Sequence, residues 1–203
     1  KVGNNILEQM QTPPGAKPDE YELTYQLKNK ATGATKAISD KEYLKSGIWK
    51  DSNWEIKGDP ERRLIKKGFE PKIRDLGIHD AQGNEYTQEL LANPFYNLMI
   101  VAYDLKHTDI AAIRRLNAIS ANLIQNYNIR TALLTANNAR DAAAFSKANQ
   151  LVMEVFYADG VPLKTMVRAN PGIILLKNGT VINKWHYHTM PDYDQLVKQY
   201  LRK

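Results

Sequence analysis

The stretch that most constrains this chain is residues 161–188, VPLKTMVRANPGIILLKNGTVINKWHYH. Two apolar runs, residues 173–176 and 181–185, flank Lys177, Asn178, Gly179 and Thr180. Both runs have strand length. Asn-Gly is the pair that a two-residue hairpin turn favours, because both central positions take positive φ. Pro171 stands immediately before the first run, where its missing N–H removes no ladder bond. A helical pattern follows from about Asp192, with Tyr193, Leu196, Val197, Tyr200 and Leu201 on one face. The end of the chain is therefore expected to be an antiparallel hairpin entered through proline and closed by a helix.

Upstream, residues 98–103 (LMIVAY) form a nearly unbroken apolar run of strand length, the pattern of a strand covered on both faces. A helix is expected next, capped by Thr108 or Asp109. Ile110, Ile113, Leu116, Ile119, Leu123, Ile124 and Tyr127 recur at three- and four-residue intervals and make one stripe. Residues 130–135 read as another strand, 138–148 as an alanine-rich helix, 152–157 as a short strand and 162–168 as a helical turn. The order from Leu98 is thus strand, helix, strand, helix, linker, strand, strand, helix.

The first third is different. Residues 1–20 read as an irregular lead-in, with Pro13, Pro14, Gly15 and Pro18 opposing any helix. Residues 21–27 alternate, with Tyr21, Leu23, Tyr25 and Leu27 on one side, as a half-buried strand does. Residues 35–38, 54–57 and 63–67 are expected to be short strands, with a brief helix capped by Asp40 and running through Gly47. Trp49 and Trp54 are expected to serve as core and cover for this extension. The division predicted is a strand-rich extension over 1–67 and a second domain over 68–203.

Composition removes several functions. There is no cysteine among the 203 residues, so the chain itself has no disulfide, zinc–thiolate site or thiol nucleophile. The formal charge is +6, but the basic residues are scattered, with no basic run interleaved with aromatic rings. A nucleic-acid partner is not expected. No apolar run approaches the ~20 residues that span a bilayer, and no signal peptide is evident. With Lys1 rather than Met at its start, the chain reads as a processed product or the excised soluble part of something longer. A P-loop, a dinucleotide-binding glycine fingerprint and a nucleophile elbow are all absent, and no cofactor is expected.

A proline entering a strand, then a hairpin, then a helix, resembles the C-terminal half of the thioredoxin fold. Leu76-Gly77-Ile78-His79 followed by residues 80–85 resembles the opening hairpin of extracytoplasmic thioredoxins of the TlpA type. The fold implied is α/β, a thioredoxin-like (TlpA-type) mixed sheet flanked by helices, with the strand-rich N-terminal extension. In that family the proline is usually cis and faces a reactive Cys-x-x-Cys between the first core strand and its helix. The matching position here is about 105–109, Leu-Lys-His-Thr-Asp, where no residue can cycle between thiol and disulfide. His107 is a possible general base without a nucleophile beside it in sequence, and Asp104 reads as a helix-entry residue. In redox-active relatives the loop before the proline binds extended peptides by backbone pairing. This makes Arg168, Asn170 and Pro171, with Asp104 and His107 opposite, the candidate surface for a protein or peptide partner. Pro171 serves equally well as the residue that shapes the turn into its strand.

His186 and His188 form a His-x-His pair, the one candidate for metal. On a regular strand they share a face, and Asp192 or Asp194 is the only third ligand in view. Helix capping explains both aspartates as well, so a metal is not expected.

A closer resemblance rests on three stretches: residues 1–6 (KVGNNI), LIKKGFEPKIRDLGIHDAQGNEYT, and RANPGIILLKNGTVINKW. Together they resemble the soluble C-terminal region of bacterial DoxX-like membrane proteins, in which several membrane helices precede a thioredoxin-like domain. That resemblance implies attachment to membrane helices and an extracytoplasmic, periplasmic location. The function expected is a redox-inactive module that binds or positions a partner beside a bacterial membrane, and not an enzyme in its own right. The alternative is an accessory domain of a membrane oxidoreductase whose redox cysteines lie in its membrane part.

Overall fold

The computed structural model describes residues 1–202. These form two compact units, one of Thr12–Glu70 and one of Lys1–Gln11 together with the chain from Pro71 onward. The division expected at 67/68 therefore shifts, and the first eleven residues belong with the second unit.

In the smaller unit, β1 (Glu20–Asn29) is the central strand. It pairs antiparallel with β2 (Thr35–Ser39) on one edge, and with β3 (Trp54–Ile56) and β4 (Glu61–Lys66) in succession on the other. Helix α2 (Asp40–Ser46) follows β2. Its cap is Ser39, whose hydroxyl accepts from the Glu42 N–H, so Asp40 is the first helical residue rather than the cap. Leu27 and Ile38 are buried, and the rings of Tyr25 and Tyr43 meet at 4.8 Å. Trp49, expected as core or cover, is instead exposed with the Lys50 ammonium over its ring.

The larger unit holds a five-stranded sheet in the order β7-β6-β5-β8-β9. The parallel part is β5 (Tyr96–Val101), β6 (Arg130–Thr135) and β7 (Glu154–Tyr157). The antiparallel part is β8 (Gly172–Lys177) and β9 (Thr180–His186). Asn178 and Gly179, with φ of 47° and 73°, make the turn between them. Alternation along the strands divides the core. Leu98, Ile100, Ile173 and Leu175 face α4 (Ile110–Tyr127), α5 (Ala139–Asn149) and α7 (Tyr193–Leu196). Met99, Val101, Ile174 and Leu176 face the opposite layer of α1 (Ile6–Met10), α3 (Thr87–Leu91) and α6 (Gly160–Met166). Three parallel strands with alternating helices, then an antiparallel hairpin entered at a proline, make this a thioredoxin-like α/β fold with a mixed sheet flanked by helices.

Local signals explain the ends of these helices. Asp109, not Thr108, caps α4 by accepting from the Ala112 N–H, and Asn128 ends it in the left-handed region. Asn138 caps α5 in the same way through Asp141. Asp192 and Gln195 form a reciprocal capping box on α7, whose last turn widens to π-type bonding over Val197–Leu201.

The lead-in is not irregular throughout. Asn5 caps α1 by accepting from the Glu8 N–H, and Ile6 is buried in the core of the larger unit. Residues 3–6 run along the free edge of β9. Gly3 N–H donates to the Val181 carbonyl, Val181 N–H to Asn4, and Ile6 N–H to Gly179. On the opposite edge, His79 exchanges both backbone bonds with Tyr157 of β7. The expected opening hairpin is thus reduced to a single bridge from His79 to Glu85, around a turn that the Asp80 carboxylate holds through the N–H groups of Gln82 and Asn84.

Candidate functional site

The C-terminal ends of β5, β6 and β7 meet the N-terminal end of β8 along one edge of the sheet, where ligands of open α/β sheets gather. Two loops face each other there, 102–109 from β5 to α4 and 167–171 from α6 to β8. Asn170 ties them together. Its Nδ2 donates to the Asp104 carbonyl at 2.6 Å, and its own carbonyl accepts from the Asp109 N–H at 3.3 Å. The Asn170–Pro171 peptide bond is cis.

The position where thioredoxins carry their dithiol holds an acid–base pair. Asp104 Oδ2 and His107 Nδ1 lie 2.7 Å apart, with the imidazole side chain 80% exposed. The His107 hydrogen bond, helped by the Lys106 N–H and opposed by burial, holds the Asp104 carboxyl below its ordinary range. Asp104 is the only side-chain hydrogen-bond partner of His107 among the described residues, so no nucleophile is hydrogen-bonded to the imidazole. Because the folded-state pKa of Asp104 is depressed, its contribution is present above the ordinary aspartate value and lost as pH falls through the lowered one. NMR titration is expected to find Asp104 ionising below ~3.9 in the native chain, and closer to that value in His107→Ala. An unchanged midpoint in that variant would remove His107 as the cause.

Sequence reasoning missed Asn137, the residue that fixes the first loop. Its Oδ1 accepts from the Leu105 N–H at 2.9 Å and from the Thr135 hydroxyl at 3.2 Å. The only signal was an asparagine two residues after a strand. Beside it, His79, Thr135, Asn137 and Tyr157 line a crevice of about 280 Å³ at the same sheet edge. Burial there pushes the Tyr157 phenol up.

Arg168 is exposed on the second loop, close enough to Lys184 for the two cations to repel. The structure therefore gathers Asp104, His107, Arg168, Asn170 and Pro171 on two facing loops. The histidine pair departs from the sequence expectation. Strand β9 ends at His186, and His188 lies in the following turn. The two rings stack at 5.0 Å, and His186 Nδ1 accepts from the His188 N–H. Asp192, one of the two aspartates considered as a third ligand, caps α7. Among the described residues no group of three or more His, Asp or Glu side chains is placed to hold a metal ion.

No protein-family model matches the chain, and no curated protein matches it. Among solved structures it is similar to the C-terminal domain of a putative thiol-disulfide oxidoreductase from Bacteroides thetaiotaomicron. There the identity is 16%, the match covers 56% of this chain and 84% of that one, and the TM-score is 0.45. It is also similar to an uncharacterized thioredoxin-like protein from Porphyromonas gingivalis, with 18% identity, 63% and 88% covered, and a TM-score of 0.48. A third is a secreted Mycobacterium tuberculosis disulfide oxidoreductase, with 12% identity, 61% and 92% covered, and a TM-score of 0.46.

Proposed function

We propose that this chain is a redox-inactive thioredoxin-like domain that binds an extended segment of a partner protein at the two facing loops. The observation that carries this reading is the way Asn170 locks loop 102–109 to loop 167–171, with Asp104, His107 and Arg168 left at the surface. A surface held in one conformation before binding avoids the entropy cost of ordering it. The Asn170 carbonyl is already committed to Asp109. Recognition therefore rests more on these charged side chains than on backbone pairing at Asn170.

The test begins with peptides selected from a random display library against this chain, their affinities measured by calorimetry. Arg168→Ala and His107→Ala are each expected to weaken the best peptide by at least about fivefold, the scale of ~1 kcal/mol. That binding is also expected to weaken as salt rises. Affinities unchanged in both variants would overturn the reading.

In the same reading the domain sits outside the cytoplasm, next to a bacterial membrane, as in the DoxX-like proteins that its sequence resembles. No helix among the described residues is long and apolar enough to cross a membrane, so attachment in this reading falls to another part of the native protein. Protease added to intact spheroplasts is expected to cleave this domain in the natural host. Protection of the domain would argue against the location.

A further inference from the structure

A second concavity of the larger unit is lined by neither Asp104 nor His107. It occupies about 710 Å³ on the β8–β9 face of the sheet, between α1, residues 72–75 and α6, within the ~300–1,000 Å³ range of small-molecule sites. Its floor is Ile6, Ile73, Pro162, Met166, Ile174 and Val181. No aromatic ring lines it, so it offers no stacking platform for a planar ligand. Branched aliphatic walls with one adaptable methionine suit a flexible hydrocarbon chain instead.

The charges of the groove have a sign. Lys1, Lys72, Arg74 and Lys184 line it against Asp75 and Asp159, and one Asp159 oxygen is occupied in capping α6 through the Val161 N–H. Lys184 is the informative residue. It is half-buried on β9 beside the apolar floor, and its ammonium donates to the Met166 carbonyl. No carboxylate among the described residues pairs with it. Burial first, and then the charge of Arg168, push its pKa down. A partly desolvated cation without a counter-ion is costly to hold, and an anionic headgroup at the mouth of an aliphatic groove would relieve that cost.

We propose that this groove binds a free single-chain aliphatic carboxylate, its chain on the Ile174–Val181 floor and its carboxylate at Lys184. Calorimetry with octanoate, decanoate and dodecanoate tests it below their micellar concentrations. Each added methylene is expected to tighten binding about three- to fourfold, the scale of ~0.8 kcal/mol per buried CH₂. Lys184→Met keeps the side-chain length and removes the charge. It is expected to weaken dodecanoate at least tenfold while leaving dodecanol nearly unchanged, and Lys184→Arg is expected to retain most of the affinity. Thr165→Trp, at an exposed position on the groove wall, is expected to abolish binding by filling the space without touching the core. Absence of dodecanoate binding, equal binding of dodecyltrimethylammonium, or dodecanoate affinity unchanged in Thr165→Trp would each overturn the proposal. So would binding confined to anionic phospholipid vesicles.

Discussion

Replacing Gly172 with alanine is expected to destabilise the larger unit by ~3 kcal/mol, at the upper end of overpacking costs. At ~2–4 °C per kcal/mol this is a fall of ~6–12 °C in Tm. The reason is space, not φ. A Cβ added at Gly172 would lie 2.4 Å from Val167 Cβ and 2.6 Å from its Cγ1. The nearest atom is a Cβ, so no rotamer change of Val167 removes the collision. Either the end of α6 or the start of β8 must move, and the loop carrying Arg168 and Asn170 spans the two. Val167→Ala, which removes Cγ1 and Cγ2 but keeps the Cβ at 2.4 Å, is accordingly expected to relieve only a minor part of the loss. Val167→Gly is expected to recover part of the loss despite its own cost. A Gly172→Ala protein with wild-type thermal stability, followed by circular dichroism, would refute this account of the position.

The second large effect is expected at the centre of the sheet. Ile100 of β5 is fully buried and stands in register with Leu133 of β6 and Ile173 of β8. Its side chain belongs to the cluster that holds Ile113, Leu116 and Leu123 of α4. Ile100→Ala removes three carbons with neighbours on every side and leaves a cavity that main-chain pairing on both edges keeps from collapsing. The expected loss is ~3–4 kcal/mol, against ~1 kcal/mol for Ile100→Val. Urea unfolding measures both, and the ratio is diagnostic. Equal losses would mean that the site collapses around alanine, and that the sheet is softer than its pairing implies.

The reach of the sequence can be judged from particular residues. The Asn178–Gly179 turn, the β8–β9 hairpin and the α4 stripe were legible because each is a local rule, of turn dihedrals or of periodicity. The cap Asp192 was legible for the same reason. Helix α1 was not, since five residues close to Pro13 and Pro14 are too few to hold a helix alone. It forms because Asn5 caps it and Ile6 enters a core built by residues far along the chain. Asn97, buried in β5, was likewise hidden. Its Nδ2 donates to the Leu90 carbonyl, while its Oδ1 accepts from Asn93, satisfying both ends of an amide that an apolar strand would not be expected to carry.

The candidate site shows the same limit. Asp104, His107, Arg168 and Asn170 were singled out through the expected topology, but Asn137 joins them only by tertiary placement. The groove at Lys184 has no motif at all, because its walls come from four separated segments. The histidine pair failed for a geometric reason. Two residues share a strand face only while the strand lasts, and β9 stops at the first of them.

The edge pairing of residues 3–6 with β9 bears on how the chain comes to be made. Gly3 and Val181 are partners almost a full chain length apart, while the hairpin they join closes through a two-residue turn. Contacts this distant form late, because the intervening loop must be closed first. Synthesis proceeds from the N-terminus, so residues 3–6 leave the ribosome long before β9 exists to receive them. Thr12–Glu70 can complete its own strand pairing in that interval. The sheet's β9 edge then closes only after Val181 has emerged.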